Sequence, residues 1–245
     1  MKMKAIVTGH TRGLGAAIAG ELLNRGVAVL GLARGKSAEL DEQFPALFDQ
    51  VEIDLGDSTA LAYWIAGGAL KDFFEDASLA LLVNNAGTVQ PVGPLHEQDP
   101  LAVGRAVALN VAAPLMLAAA VVAATPLASR RVLHVSSGAG SSGYPGWSVY
   151  GATKAALDHH ARCAALDEVP GLRVCSLAPG VIDTAMQAEI RATPVEHFPN
   201  RQRFIDLERS GQLSTPQACA TRLVDYLLSA AFGRHPVEDL RAVAE

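Results

Sequence analysis

The sequence predicts an α/β fold, one parallel sheet with helices on both faces, from three observations. Six short apolar runs alternate with longer helix-forming segments: "KAIVTG", "VAVLGLA", "VEIDL", "LALLVNNAG", "RVLHVSS" and "RVCSLAPG", the pattern of parallel crossover units. Several of these runs are apolar at successive rather than alternate positions, as expected where helices cover both faces of a strand. A glycine-rich turn, "TGHTRGLG", joins the first run to a helix-forming stretch. The 245 residues fit the ~250 residues that one α/β domain reaches. No repeat, low-complexity block or linker interrupts them, so a single domain over residues 1–245 is expected.

The first run ends in the turn that holds Gly9, Gly13 and Gly15. Glycine allows a tight turn and a close approach of backbone to phosphate, and the helix N-terminus beyond it offers free N–H groups. A pyrophosphate is therefore expected there, although the spacing is G-x-x-x-G-x-G and not the commoner G-x-G-x-x-G. Arg12 beside a helix N-terminus opposes the dipole by about 0.3 to 1 kcal/mol unless an anion lies nearby. The second run ends "GLAR", with Ala33 and Arg34 where NAD sites usually carry an acid. Arg34 and Arg12 together suit a 2′-phosphate, so NADP(H) is favoured over NAD(H).

Further along, Ala106 to Ala124 is nearly uncharged, but it is mostly alanine and contains Asn110 and Pro114. It reads as a buried helix rather than a membrane span. In "SVYGATKAAL", Tyr150 and Lys154 lie at i and i+4 on one helix face. An ammonium near a phenol lowers its pKa from ~10, which suits general acid or base work. Taken alone, such a pair is more often a solvated helix start. After "LAPG", residues 183–213 mix charges, prolines and aromatics before helical "TPQACATRLVDYLLS" resumes. An extended segment at a strand's carboxyl end reads as a substrate lid.

Composition excludes several classes. With 50% hydrophobic and 18% charged residues the chain is not a disordered one. The net charge of −5 and the absence of a Lys/Arg block argue against nucleic acid as partner. Cys163, Cys175 and Cys219 fit neither a disulfide framework nor a metal site and read as buried free thiols. His159 and His160 point to different helix faces, and no structural metal is expected. The apolar strand pattern begins almost at the first residue, which leaves no signal peptide and makes the cytoplasm the expected location.

Four motifs then occur in order: Thr8 to Gly15, "NNAG" at Asn84 to Gly87, Tyr150-x-x-x-Lys154, and Pro179-Gly180 followed by Thr184. Over nearly its whole length the sequence resembles the short-chain dehydrogenase/reductase family. The resemblance implies a three-layer, Rossmann-type, doubly wound parallel sheet and a catalytic tetrad of Asn110, Ser137, Tyr150 and Lys154. Ser137 is chosen over Ser136 because the family places this serine thirteen residues before the tyrosine. By that resemblance Tyr150 protonates the carbonyl oxygen and Ser137 hydrogen-bonds it. Lys154 lowers the tyrosine pKa and binds the nicotinamide ribose, and Asn110 holds a relay water. Negative charge building on oxygen during hydride transfer makes such a hydroxyl pair and cation sensible.

The expected cofactor contacts are Gly9, Thr11, Arg12, Gly13, Leu14, Gly15 and Arg34 at the phosphates, and Asp54 and Leu55 beside the adenine. Asn85, Ala86 and Gly87 line the ribose path with Tyr150 and Lys154, and Pro179, Gly180, Val181, Ile182 and Thr184 meet the nicotinamide. Asn110 as a backbone brace, Ser137 as a turn serine and Asp54 as a strand-end cap are the plainer meanings of the same residues. His10 stands where many relatives carry a small residue and is expected at the rim of the phosphate loop. The C-terminus lacks the glycine-rich ending of many members, which leaves the last strand open.

Within the family, "RFIDLERSGQLSTPQACATRLVDYLLS" resembles the sepiapterin reductase and bacterial benzil reductase group. That implies NADPH-dependent reduction of vicinal dicarbonyls or other small ketones. Tyr144, Trp147, His197, Phe198 and Phe204 are either pocket walls or ordinary packing. The alternative function is a dinucleotide-binding regulator or scaffold without turnover, which an intact tetrad argues against. A methyltransferase would explain the glycine turn but not the Tyr-Lys pair. The alanine-rich helices suggest a homodimer or homotetramer, with a small carbonyl or alcohol substrate as the other partner and no membrane.

Overall fold

The computed structural model describes residues 2–243. Seven strands form one parallel sheet in the order β3-β2-β1-β4-β5-β6-β7. They are β1 (Met3–Thr8), β2 (Ala28–Ala33), β3 (Phe48–Glu52), β4 (Leu79–Asn84), β5 (Ser129–Val135), β6 (Leu172–Ala178) and β7 (Val237–Asp239). The chain winds outward from β1 to β3, returns to β4 beside β1 and continues the other way. The crevice for a ligand in such a sheet opens where the winding reverses, at the carboxyl ends of β1 and β4.

The central strands are buried on both faces, as their unbroken apolar runs require: every residue of β4 is buried. On one face α1 (Gly13–Asn24) and α10 (Pro216–Leu228) pack with α2 (Ala38–Gln43), and Ile18, Leu22, Leu223 and Leu227 interlock with β1, β4 and β6 residues. On the other lie α3 (Ser58–Ala66), α4 (Ala69–Phe74), α5 (Pro100–Val107), α6 (Ala113–Ala124) and α7 (Ser148–Leu166). Leu61, Phe74, Leu117, Val121 and Ala161 from this layer cover Ile6, Leu82 and Val132. Several helix starts have a local cause. Asp57 and Asp99 accept from the N–H groups two and three residues on, and Thr215 accepts from Ala218 N, the usual N-cap bonds.

Helices α5 and α6 run on through a π-helical turn at Ala108–Ala112. Pro114 has no N–H for the Asn110 carbonyl four residues before it, and the ladder widens so that Ala113 N donates to Ala108 O. The joined helix, Pro100–Ala124, is long and apolar enough to cross a membrane. Its buried residues are Ala106, Asn110, Ala113, Pro114, Leu117, Ala118 and Val121, a stripe along the core side.

Two strand boundaries differ from expectation. Strand β3 begins at Phe48, because Val29 pairs with Phe48 at the sheet edge where polar Asp49 and Gln50 are tolerated. It ends early because the Asp54 carboxylate accepts from Gly56 N at 2.8 Å and turns the chain. The C-terminus does supply a last strand, β7, three residues long and paired to Ser176–Ala178.

Residues 183–213 hold α8 (Ala185–Ala192) and α9 (Arg201–Arg209). Arg191 on α8 pairs with Glu208 on α9 at 2.8 Å. Ser214 closes the base of the segment by donating to Val181 O at 3.0 Å and accepting from Asp183 N at 2.9 Å. Underneath, a third apolar cluster joins Val89, Trp147, Tyr150, Ile190, Phe198 and Phe204.

Candidate active site

The turn after β1 leaves a cradle at the head of α1. Gly9 has φ +72° and Gly15 lies against it: a Cβ on Gly15 would stand 2.1 Å from the Gly9 carbonyl oxygen and 2.4 Å from Asn85 Nδ2. Only glycine allows that contact. Arg12 occupies the N-cap without a side-chain cap bond, and no acidic residue lies in the first turn. The N-terminal N–H groups of α1 thus carry no internal anion, which is what a bound phosphate requires. Arg12 and Arg34 are both exposed, and neither forms an ion pair among the described residues.

Thr8 fastens this turn to β4. Its buried hydroxyl oxygen accepts from Asn85 N and Ala86 N, each at 2.9 Å, and its carbonyl accepts from Asn85 Nδ2 at 2.9 Å. Leu14 is buried under the turn and Thr11 is half-buried on it. Thr184, at the head of α8, faces Gly13 across the cleft, its Cγ2 3.5 Å from where a Gly13 Cβ would be. Pro179, Gly180 and Val181 are half-buried on the same side, and Ile182 is buried. Asp54 is exposed and engaged in its own turn, whereas Leu55 belongs to the core.

Deeper in the cleft Asn110, Ser137, Tyr150 and Lys154 meet. Asn110 donates through Nδ2 to Thr88 O (2.8 Å) and Thr153 Oγ1 (3.1 Å) and accepts from Thr88 N (2.9 Å). Thr153 in turn donates to the Tyr150 carbonyl at 2.8 Å. Gly87 stands between, where a Cβ would lie 3.2 Å from Asn110 Oδ1 and 3.8 Å from Lys154 Nζ. Lys154 Nζ donates to the Val135 carbonyl at 2.8 Å. Asn110 is thus a backbone brace as well as a neighbour of the lysine.

The charges differ from the sequence expectation. Burial raises the Tyr150 phenol above its usual pKa, and the group that opposes this is the Ser137 hydroxyl, not Lys154. The ammonium stands 5.7 Å from the centre of the phenol ring and is held on a backbone carbonyl, so its field at the hydroxyl is outweighed by the loss of water. Burial also lowers Lys154 to about 8, and Asp158 opposes that shift.

Adjacent serines separate cleanly. Ser136 donates to Asp158 Oδ1 at 2.7 Å, and Ser176 donates to the same oxygen at 2.7 Å. Ser137 instead accepts from Ala139 N at 3.2 Å, as a turn serine does, and its hydroxyl also acts on the Tyr150 phenol. Thr8, Thr153 and Asp158 were not singled out from the sequence. Asp158 carries a signal, since it lies four residues after Lys154 on the same helix face.

Two sequence expectations, for His10 and for Cys163, are corrected here. His10 is fully buried and points away from the phosphate turn into the β2–β3 edge. Cys163 is exposed, while Cys175 and Cys219 are buried, with thiols pushed up to about 12 and about 11 by burial. His197 sits at the segment's rim, bonded to Glu97 at 3.1 Å. Trp147, Phe198 and Phe204 do flank Tyr150: Trp147 stacks on Phe198 at 4.5 Å and meets the Tyr150 ring edge-on at 5.3 Å. Tyr144 adds a tilted contact to Trp147 at 5.2 Å. No group of three or more metal-ligating side chains occurs among the described residues.

A short chain dehydrogenase family model matches residues 3–195. The chain is 33% identical to a benzil reductase ((S)-benzoin forming) of Bacillus cereus over 93% of its own length and 94% of the relative's. It is 33% identical to the sepiapterin reductase of Meriones unguiculatus, with 93% and 92% covered. A crystal structure of a short-chain dehydrogenase/reductase from Burkholderia vietnamiensis is 48% identical, covers 99% of this chain and 100% of its own, and superposes with a TM-score of 0.71. The glycine cradle, the paired Tyr150 and Lys154 and these matches agree: the chain is an oxidoreductase and belongs to the short-chain dehydrogenase family.

Proposed function

We propose that the protein is an NADPH-dependent reductase of small carbonyl compounds, with vicinal dicarbonyls as the favoured class. The observation that carries this reading is the convergence of Ser137, Tyr150 and Lys154 beside an uncapped, glycine-lined helix N-terminus. The residues fit a dinucleotide, because the turn packs directly on Gly15 and leaves the helix start uncapped, with no acidic residue in its first turn. When bound, NADPH supplies the hydride.

Tyr150 delivers the proton to the carbonyl oxygen; burial raises its pKa and so opposes the phenolate left behind, which the Ser137 hydroxyl favours. Ser137 donates a hydrogen bond to the same oxygen and positions it. Lys154 stabilises the phenolate left behind and holds the nicotinamide ribose. Both Asn110 N–H donors are engaged, so a relay water is bound through an Asn110 acceptor. Asn85, Ala86 and Gly87 line the ribose path, Pro179 to Ile182 and Thr184 the nicotinamide side, and Asp54 and Leu55 the adenine side. Arg34 and Arg12 bind the 2′-phosphate, supported by their exposure, by the lack of carboxylate partners among the described residues and by Ala33 in the place of an acid.

Residues 183–213 cover the substrate, and Trp147, Phe198 and Phe204 form an aromatic wall next to Tyr150. Flat, apolar-flanked dicarbonyls match that wall, and the names of the benzil and sepiapterin reductases point the same way. Leu101, Val107 and Leu166 expose apolar surface on α5 and α7, which we assign to packing between copies in a cytoplasmic homodimer or homotetramer.

The test follows NADPH absorbance with diketones, quinones, pterins and simple ketones, for wild type and Tyr150→Phe. Turnover led by vicinal diketones and lost in the variant is expected. Binding of NADPH with no turnover on the whole panel would sink the reading.

A further inference from the structure

His10 sits inside the phosphate turn, between Gly9 and Thr11, yet its ring is fully buried on the far side of β2. The room for it comes from Gly31, in the middle of that strand: a Cβ on Gly31 would lie 2.5 Å from His10 Nδ1. Glycine inside a strand weakens it and marks a close approach, and here the approaching group is the imidazole. Phe48 from β3 meets the ring edge-on at 5.5 Å.

The polar side of the ring is aimed at one acceptor. His10 Nε2 lies 3.1 Å from Gln50 Oε1. Ser37 sets the orientation of that amide, since Ser37 N donates to Oε1 at 2.8 Å and Gln50 Nε2 donates to Ser37 O at 3.4 Å. Oε1 is therefore the acceptor and His10 Nε2 carries the proton. Nδ1 is left buried without a hydrogen-bond partner among the described residues. Burial lowers the imidazole pKa, so the ring acts as a neutral donor and not as a charge. An apolar side chain would fill the notch over Gly31 without stranding a ring nitrogen. What the histidine adds is a hydrogen-bonded link from the phosphate turn, through Gln50, to Ser37, three residues after Arg34.

We propose that His10 is a positioning residue for cofactor specificity: it locks the Gly9–Gly15 turn to the Arg34–Ser37 segment, so that the pyrophosphate and the 2′-phosphate of one ligand meet groups already in register. The proposal rests on the NADPH reading above. Preorganisation of this kind strengthens ligands that span both segments and is neutral for ligands that touch one.

The test measures binding of NADPH, NADH, adenosine 2′,5′-bisphosphate and 5′-AMP to wild type, His10→Ser, His10→Gln and Gln50→Met, with melting curves to show that each is folded. His10→Ser and Gln50→Met are expected to weaken NADPH and the bisphosphate about tenfold while NADH and 5′-AMP change less than about twofold. His10→Gln keeps a donor at the same reach and restores most of the affinity. Gln50→Met leaves the ring in its notch, so it decides the matter if His10→Ser does not fold. Equal weakening of all four ligands, or no weakening, in the folded variants would overturn the link while a wild-type preference for NADPH left the cofactor reading intact. A wild type that binds NADH as tightly as NADPH would overturn both.

Discussion

Lys154 Nζ stands 5.7 Å from the centre of the Tyr150 ring and donates to the Val135 carbonyl at 2.8 Å. The lysine is therefore positioned by the sheet rather than by the phenol. The acid and its neighbouring cation are held by separate parts of the framework, and each can be removed singly.

Tyr150→Phe is expected to reduce kcat by about a hundredfold or more while NADPH affinity stays within about threefold. Lys154→Met should lose a similar factor in kcat and also weaken NADPH, because it removes both the cation and the ribose contact. Steady-state kinetics with cofactor titration separate the two. Turnover by Tyr150→Phe within tenfold of wild type would remove the tyrosine from the proposed chemistry.

Two glycines of α1, Gly15 and Gly20, predict opposite outcomes. A Cβ on Gly15 meets backbone at 2.1 Å, so Gly15→Ala should disrupt the turn, lower stability by about 2 kcal/mol or more and abolish cofactor binding. A Cβ on Gly20 finds only Leu40 Cδ2 at 3.8 Å, and Gly20→Ala should stabilise the helix by roughly 0.5 to 1 kcal/mol. Urea unfolding of both variants checks the pair.

Arg34→Ala should weaken NADPH by about tenfold to a hundredfold, the value of one charge-assisted contact to phosphate, and leave NADH nearly unchanged. Calorimetric titration with each cofactor measures the ratio. Equal loss for both cofactors would move Arg34 away from the 2′-phosphate.

Stability should fall as pH drops below about 6.5. The His134 ring is fully buried between Asn84 and His160 and is pushed down to about 3 by burial, with His160 and Lys154 adding to the effect. His10 and His160 are also lowered by burial. Between pH 6.5 and 3 the unfolded chain binds a proton on His134 that the folded chain refuses, so this group costs up to ~1.4 kcal/mol per pH unit. Unfolding free energies at several pH values should show this slope, and His134→Leu should flatten it even though the variant is less stable at neutral pH. An unchanged slope in that variant would place the acid sensitivity elsewhere.

The sequence by itself determined what short spacings carry. Six strands could be read from short apolar runs, several of them unbroken because burial on both faces removes the need for polar residues. The glycine turn and the i,i+4 pair of Tyr150 and Lys154 were legible because a few residues of covalent geometry fix their relation. The choice of Ser137 over Ser136 rested on resemblance. In the structure the two side chains part at the strand end, one toward Tyr150 and one toward Asp158.

The tertiary structure decided whatever depends on what lies across the sheet. Nothing near His10 in sequence announces Gly31 or Gln50, which lie twenty-one and forty residues away. Cys163 looks like the other cysteines in the chain but falls on the outer face of α7. The Tyr150 phenol is raised because packing removes its water, and that loss outweighs a cation one helical turn away. Spacing is a local property that the covalent chain transmits directly, whereas desolvation is set by long-range packing and exists only once the chain has folded.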